Sequence, residues 1–216
     1  MTQSILKKYT HIIWDWNGTL LKDDHICVEI LNSMLKTRNL PPVTAKQYKA
    51  EFDFPIINYY KKVGFDFSKE SFDNIAAEFI DQYEIRRFSC PLQPKTIQVL
   101  QHFKAKNLTQ SILSAYNQFR LEEIICHFKL TDYFTHIVGL TDDYAHSKVD
   151  AAAQFMKNSS LMPDKIVFIG DTIHDFEVAH AINTDCILIA DGHQPKEKLL
   201  KCNVTVLNSL ADFLTL

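Results

Sequence analysis

The chain has 216 residues, 46% of them hydrophobic, 12% aromatic and 23% charged, which suits a globular core plus a smaller unit and excludes a disordered polymer. A formal charge of −3, with acids and bases interspersed, provides no basic stripe for a nucleic-acid backbone, and no run of eighteen apolar residues offers a membrane span. The N-terminus lacks a secretory pattern, and Cys27, Cys90, Cys126, Cys186 and Cys202 are odd in number and widely spaced; reduced thiols, a cytoplasmic setting, and no nucleic-acid or membrane partner are expected.

Thr10 to Asp15 is a short apolar run ending in a carboxylate, the pattern of a buried parallel strand. Over residues 21–91 that pattern lapses into helical stripes. Ile26, Ile30, Leu31, Met34 and Leu35 form one, stopped by Pro41 and Pro42. Phe72, Ile75, Ala76, Phe79, Ile80 and Tyr83 form another after a cap expected at Ser68, with Gly64 closing a helix between them. Phe52-Asp53-Phe54-Pro55 and Tyr59-Tyr60-Lys61-Lys62 either face a site or pack this helical unit's own core. The joints near 21–24 and 88–94 carry charged, Ser or Pro residues suited to a hinge.

Beyond residue 92 strand and helix alternate. A helix is predicted over Pro94 to Lys106, then a strand over Leu108 to Leu113 ending at Ser114 and a helix over 117–128. The strand Phe134 to Leu140 ends at Thr141 before a helix over 148–158; Lys165 to Gly170 ends at Asp171 before a helix over 174–182; Cys186 to Ala190 ends at Asp191. Such alternation predicts an α/β fold, a parallel sheet with helices on both faces. No internal repeat appears, and none of the five glycines forms a dinucleotide or nucleotide phosphate-binding motif.

Ligands of open parallel sheets bind beyond the carboxyl ends of the strands, so Asp15, Ser114 and Asp171 are expected to converge. A carboxylate can act as a covalent nucleophile, and neighbouring carboxylates can hold a hard cation. Asp171 and Asp175, four apart at a strand-to-helix turn, reach the same side of it, while Gly18 and Thr19 permit a tight loop whose N–H groups can cradle an anion. The nine histidines contain no zinc pattern; His174 reads as an exposed loop residue, and His146 and His193 attract no assignment.

Asp15-Trp16-Asn17-Gly18-Thr19-Leu20 after a hydrophobic strand, Ser114 after the second, Lys148 downstream, and Gly170-Asp171-Thr172-Ile173-His174-Asp175 together resemble the haloacid dehalogenase superfamily, and within it the phosphoglycolate phosphatase group. The resemblance implies a Rossmann-like catalytic core over residues 1–20 and 92–216, with a small α-helical cap over residues 21–91 inserted after the first strand. It implies Mg2+ and hydrolysis of a small phosphorylated metabolite, with Asp15 as nucleophile and metal ligand and Asn17 offering its backbone carbonyl to the metal. Ser114 and Lys148 would serve the phosphoryl group, Trp16, Gly18, Thr19 and Ala115 would line the substrate, and Asp171 with Asp175 would complete the metal site. Monomer or homodimer stays open.

Asn17 departs from the pattern, because similar phosphatases carry a second Asp there to protonate the leaving oxygen and activate water. An amide can do neither, and general acid–base help is worth about 10²- to 10⁴-fold. Three readings remain: a slow or specialised phosphatase; a dehalogenase or phosphonatase-type hydrolase on the same fold; and a non-catalytic module that binds a phosphorylated ligand. Relatives that expel halide work without a metal, whereas this sequence keeps Asp171 and Asp175.

Overall fold

The computed structural model describes residues 6–140 and 148–215; Thr141 and His146 lie outside them. Six parallel strands form one sheet in the order β3-β2-β1-β4-β5-β6: β1 His11–Trp14, β2 Thr109–Asn117, β3 His136–Leu140, β4 Ile166–Gly170, β5 Asp185–Ile189 and β6 Thr205–Leu207. The expected α/β architecture is the one observed. The short strand β6, which has no strong apolar run, went unpredicted.

The period-two geometry of a strand sorts its side chains onto two faces. Ile12, Trp14, Ile112, Val167, Ile169, Ile187 and Ile189 enter one core cluster, while Ile13, Leu113, Ile166, Phe168, Cys186 and Leu188 enter the other. The first cluster is roofed by α5 Thr96–Ala105, α6 Gln118–His127 and the 3₁₀ segment Leu210–Leu214. Trp14 anchors it, fully buried beside Phe103 and Phe213, with its indole N–H donated to Gln110 Oε1 at 3.0 Å. The second is covered by α7 Lys148–Asn158, α8 Ile173–Ala181 and α9 Lys196–Leu199. The five cysteines are free, and no helix among the described residues is long and apolar enough to cross a membrane.

Between β1 and α5 the chain runs through α1 Asp24–Thr37, α2 Ala45–Glu51, α3 Ile56–Lys62 and α4 Phe72–Arg86. It enters and leaves this helical segment side by side, since Leu21 bridges Leu92 antiparallel and Lys22 N–H donates to the Pro91 carbonyl at 2.9 Å. The α1 stripe buries Ile26, Ile30, Leu31, Met34 and Leu35 as expected, but the helix ends at Thr37, where Asn39 turns left-handed (φ 56°), before Pro41 is reached. Gly64 (φ 106°) follows α3 in the conformation that a helix-ending glycine adopts. The expected cap at Ser68 is corrected: Ser71 Oγ accepts from the Asn74 N–H at 3.2 Å and starts α4, while the Ser68 hydroxyl donates to Asp66 in the preceding turn. Strand β2 also runs beyond Ser114 to Asn117, with its register against β3 shifting after Leu113.

Candidate active site

The strand order reverses direction around β1 and β4, the arrangement that opens a crevice at the carboxyl ends of both. Asp15 leaves β1 there, with its N–H donated to the Ile169 carbonyl at 2.8 Å, and Asp171 and Asp175 occupy the turn from β4 into α8. One oxygen from each of these three buried carboxylates lies within 4.8 Å of the others. Ser114, on β2, and Ala115 line the same cavity. Lys148, the first residue of α7 and 3% exposed, donates from Nζ to Asp15 Oδ1 at 2.5 Å and to Asp175 Oδ1 at 2.6 Å.

Each carboxylate is held from behind. Asp171 Oδ1 accepts from the Thr19 hydroxyl at 2.8 Å and Oδ2 from the His193 N–H at 2.6 Å. Asp175 Oδ2 accepts from the Thr172 N–H and hydroxyl and from the Asp171 N–H at 2.7–3.1 Å, which doubles as a capping box at the start of α8. Two glycines are obligatory here. A Cβ on Gly192 would stand 2.1 Å from Asp171 Oδ2, and one on Gly18, whose φ is +78°, would stand 2.4 Å from the same atom.

Burial pushes the Asp15 carboxyl up to about 8; Lys148 opposes the shift, and Asp175 and Asp171 add to it. Asp171 rises to about 6, again chiefly by burial. Asp175 moves the other way, because Lys148 and the Thr172 donors outweigh its desolvation. Crowded, desolvated oxygens of one sign are the donor set that a hard divalent cation relieves, so these three residues fit a metal such as Mg2+.

The loop after Asp15 differs from expectation. The Gly18 N–H does not face an anion in the cavity; it donates to Asp23 Oδ1 at 2.9 Å and to the Leu21 carbonyl at 3.0 Å. Thr19 is fully buried behind Asp171, and the Trp16 ring is fully buried against Phe128, outside the cavity lining. Their apolar or inward-turned side chains build the loop's support, so the substrate-lining expectation fails for the side chains of Trp16 and Thr19. Asn17 does line the cavity, and its Nδ2 donates to Asp23 Oδ2 at 2.8 Å and to the Tyr83 hydroxyl at 2.7 Å.

Asp23, His193, Tyr48 and Tyr83 are the site neighbours that sequence reading missed. Asp23 Oδ2 also accepts from the Tyr83 hydroxyl at 2.7 Å, and Oδ1 faces His193 Nε2 at 3.3 Å, while His193 Nδ1 meets the Tyr48 hydroxyl at 3.0 Å. Burial would hold the imidazole neutral, but the Asp23 carboxylate outweighs it and raises His193 to about 9; the Asp23 carboxyl is lowered in return against its own desolvation. The sequence carried no signal for them; only the structure shows that Asp23 occupies the N-cap of α1 without making a cap hydrogen bond, its oxygens being engaged elsewhere. His174 is corrected too, since it lies in the first turn of α8 and stacks on Phe54 with ring centroids 4.7 Å apart.

A family profile described as "Haloacid dehalogenase-like hydrolase" matches residues 12–189. A haloacid dehalogenase-like family hydrolase from Streptococcus pneumoniae superposes with a TM-score of 0.74 at 20% identity, covering 97% of this chain and 98% of that one. A structure described as a predicted phosphoglycolate phosphatase from Haemophilus somnus gives 0.75 at 18%, covering 96% and 97%. The tyrosine-protein kinase PtkA of Mycobacterium tuberculosis is 30% identical over 89 residues, which are 41% of this chain and 31% of that protein. This chain therefore aligns with under a third of that relative's length.

Proposed function

We propose, from the premise that this chain belongs to the haloacid dehalogenase-like hydrolases, that it is a magnesium-dependent phosphatase for a small phosphorylated metabolite, working through an aspartyl phosphate on Asp15. The observation that carries this reading is the meeting of Asp15, Ser114, Lys148 and Asp175 on the wall of one cavity, with the buried Asp171 in the same carboxylate cluster. Asp15, Asp171 and Asp175, with the Asn17 carbonyl, would hold Mg2+, which when bound would supply charge neutralisation to the phosphoryl oxygens.

An Asp15 oxygen attacks phosphorus, the new O–P bond forms as the ester P–O bond breaks, and the alcohol leaves with its electron pair. Lys148 holds the Asp15 carboxylate in place and offsets the charge that gathers on the phosphoryl oxygens, and Ser114 donates to one of them. Water then cleaves the acyl phosphate and restores Asp15. Asn17 cannot protonate the leaving oxygen, and both of its N–H donors are already given to Asp23 and Tyr83, so that proton comes from solvent and turnover is slow on poor leaving groups. The helical segment acts as a cap whose closure excludes water.

The test is magnesium-dependent phosphate release from a panel that includes phosphoglycolate and acetyl phosphate. Asp15→Asn should lower it on the order of 10³-fold or more. No turnover above that variant on any substrate refutes the reading. Halide displacement has no use for three crowded carboxylates, and this favours phosphoryl chemistry over it. A second reading, phosphotransfer to a tyrosine hydroxyl, is supported by the 30% identity over 89 residues to the tyrosine-protein kinase PtkA; chasing a trapped aspartyl phosphate into phosphotyrosine would support it further.

A further inference from the structure

The cavity that contains the carboxylates continues well past them, with a volume of about 580 Å³, in the range of pockets that enclose an entire organic ligand. A phosphoryl group fills a small part of that space. Away from Asp15 its walls are Phe52, Phe54, Tyr59, Phe72, Phe79 and Ile80, contributed by the helical segment. The cations among the described lining residues already face partners: Lys148 is held by Asp15 and Asp175, His193 by Asp23 at 3.3 Å, and Arg120 meets Glu84 at 3.5 Å. A substrate carboxylate placed among these rings would lose its hydration and gain no uncommitted cation.

We infer that this site takes a phosphate monoester whose organic part is uncharged and apolar, an alkyl or aryl group of several carbons, in preference to a carboxylate-bearing ester such as phosphoglycolate. The inference rests on reading the carboxylate end of the cavity as the phosphoryl site. The aromatic walls bury the organic part and so supply the affinity, while Asp15 and its neighbours meet the phosphate.

The experiment measures the affinity of the magnesium-loaded full chain for methyl-, butyl- and hexylphosphonate and for phosphonoacetate, together with phosphate release from methyl phosphate, hexyl phosphate and phosphoglycolate. Alkyl esters keep the leaving group's acidity nearly constant while apolar size changes. Binding should tighten by about fourfold for each methylene buried. A flat phosphonate series, or phosphonoacetate binding more tightly than butylphosphonate, overturns the inference. Graded binding without phosphate release from any ester leaves the inference standing and sinks the phosphatase reading. Phosphoglycolate turned over better than hexyl phosphate does the reverse. Ile80→Asp on α4 and Ile57→Asp on α3 each place a charge in the cavity wall from a different helix. Either variant that folds should flatten the chain-length dependence, and one that folds and retains it in full counts against the inference.

Discussion

At Asn17 the side-chain amide sits 2.8 Å from one oxygen of Asp23, a carboxylate that is 1% exposed and also accepts from Gly18 and Tyr83. A carboxyl in place of the Asn17 amide would set two acid oxygens against each other at that distance, and two carboxylates so close cannot both ionise without cost. Asn17→Asp alone should therefore raise turnover of an alkyl phosphate by less than about tenfold, against the roughly 10²- to 10⁴-fold that general acid–base catalysis supplies. Asn17→Asp combined with Asp23→Asn returns an amide donor to the pair and should recover most of that gain. Steady-state kinetics on the two variants decide it, and equal rates would show that Asp23 does not restrain position 17. The residue types at strand ends were legible in sequence; the Tyr83 partner of Asn17 was not, because it lies 66 residues away on a helix that reads only as amphipathic.

Among the elements, one buried cluster ties three parts of the helical segment to the sheet: Asp23 opens α1, Tyr48 lies on α2, Tyr83 on α4, and His193 follows β5. His193 is raised from 6.5 to about 9, so its pairing with Asp23 contributes fully below 6.5 and is lost as pH climbs through about 9. The span corresponds to about 3 kcal/mol. The melting temperature of the protein relative to His193→Gln should thus show its largest advantage near pH 6 and a much smaller one above pH 9.5. A difference independent of pH would mean that the imidazole carries no extra proton in the fold. Tyr83→Phe, which deletes the hydroxyl between Asn17 and Asp23, should cost about 1–3 kcal/mol, measured by denaturant unfolding. Most helices here were legible from periodicity. The start of α4 was misplaced because Ser68 and Ser71 are both chemically able to cap, and only backbone geometry distinguishes them.

For the whole molecule, three buried and mutually crowded acids make the folded chain a stronger cation ligand than the unfolded one. Mg2+ at about 100 times its Kd should stabilise the protein by about 3 kcal/mol, a rise in Tm of roughly 5–10 °C for a chain of this size. Asp171→Asn should remove most of that rise, and an unchanged magnesium shift in the variant would place the metal elsewhere. By itself the sequence determined the α/β alternation, the parallel sheet and the polar residues that close its strands, since period-two burial and a carboxylate after an apolar run are local features read within ten residues. It also marked Asn17 as a departure. Only the tertiary structure decided that the Gly18 N–H serves Asp23, that His193 backs Asp171, and that aromatic rings from α3 and α4 wall the cavity. Contacts around the same site join residues 152 positions apart, as for Thr19 with Asp171, and packing selects such pairs by distance and charge with no periodic trace in the chain.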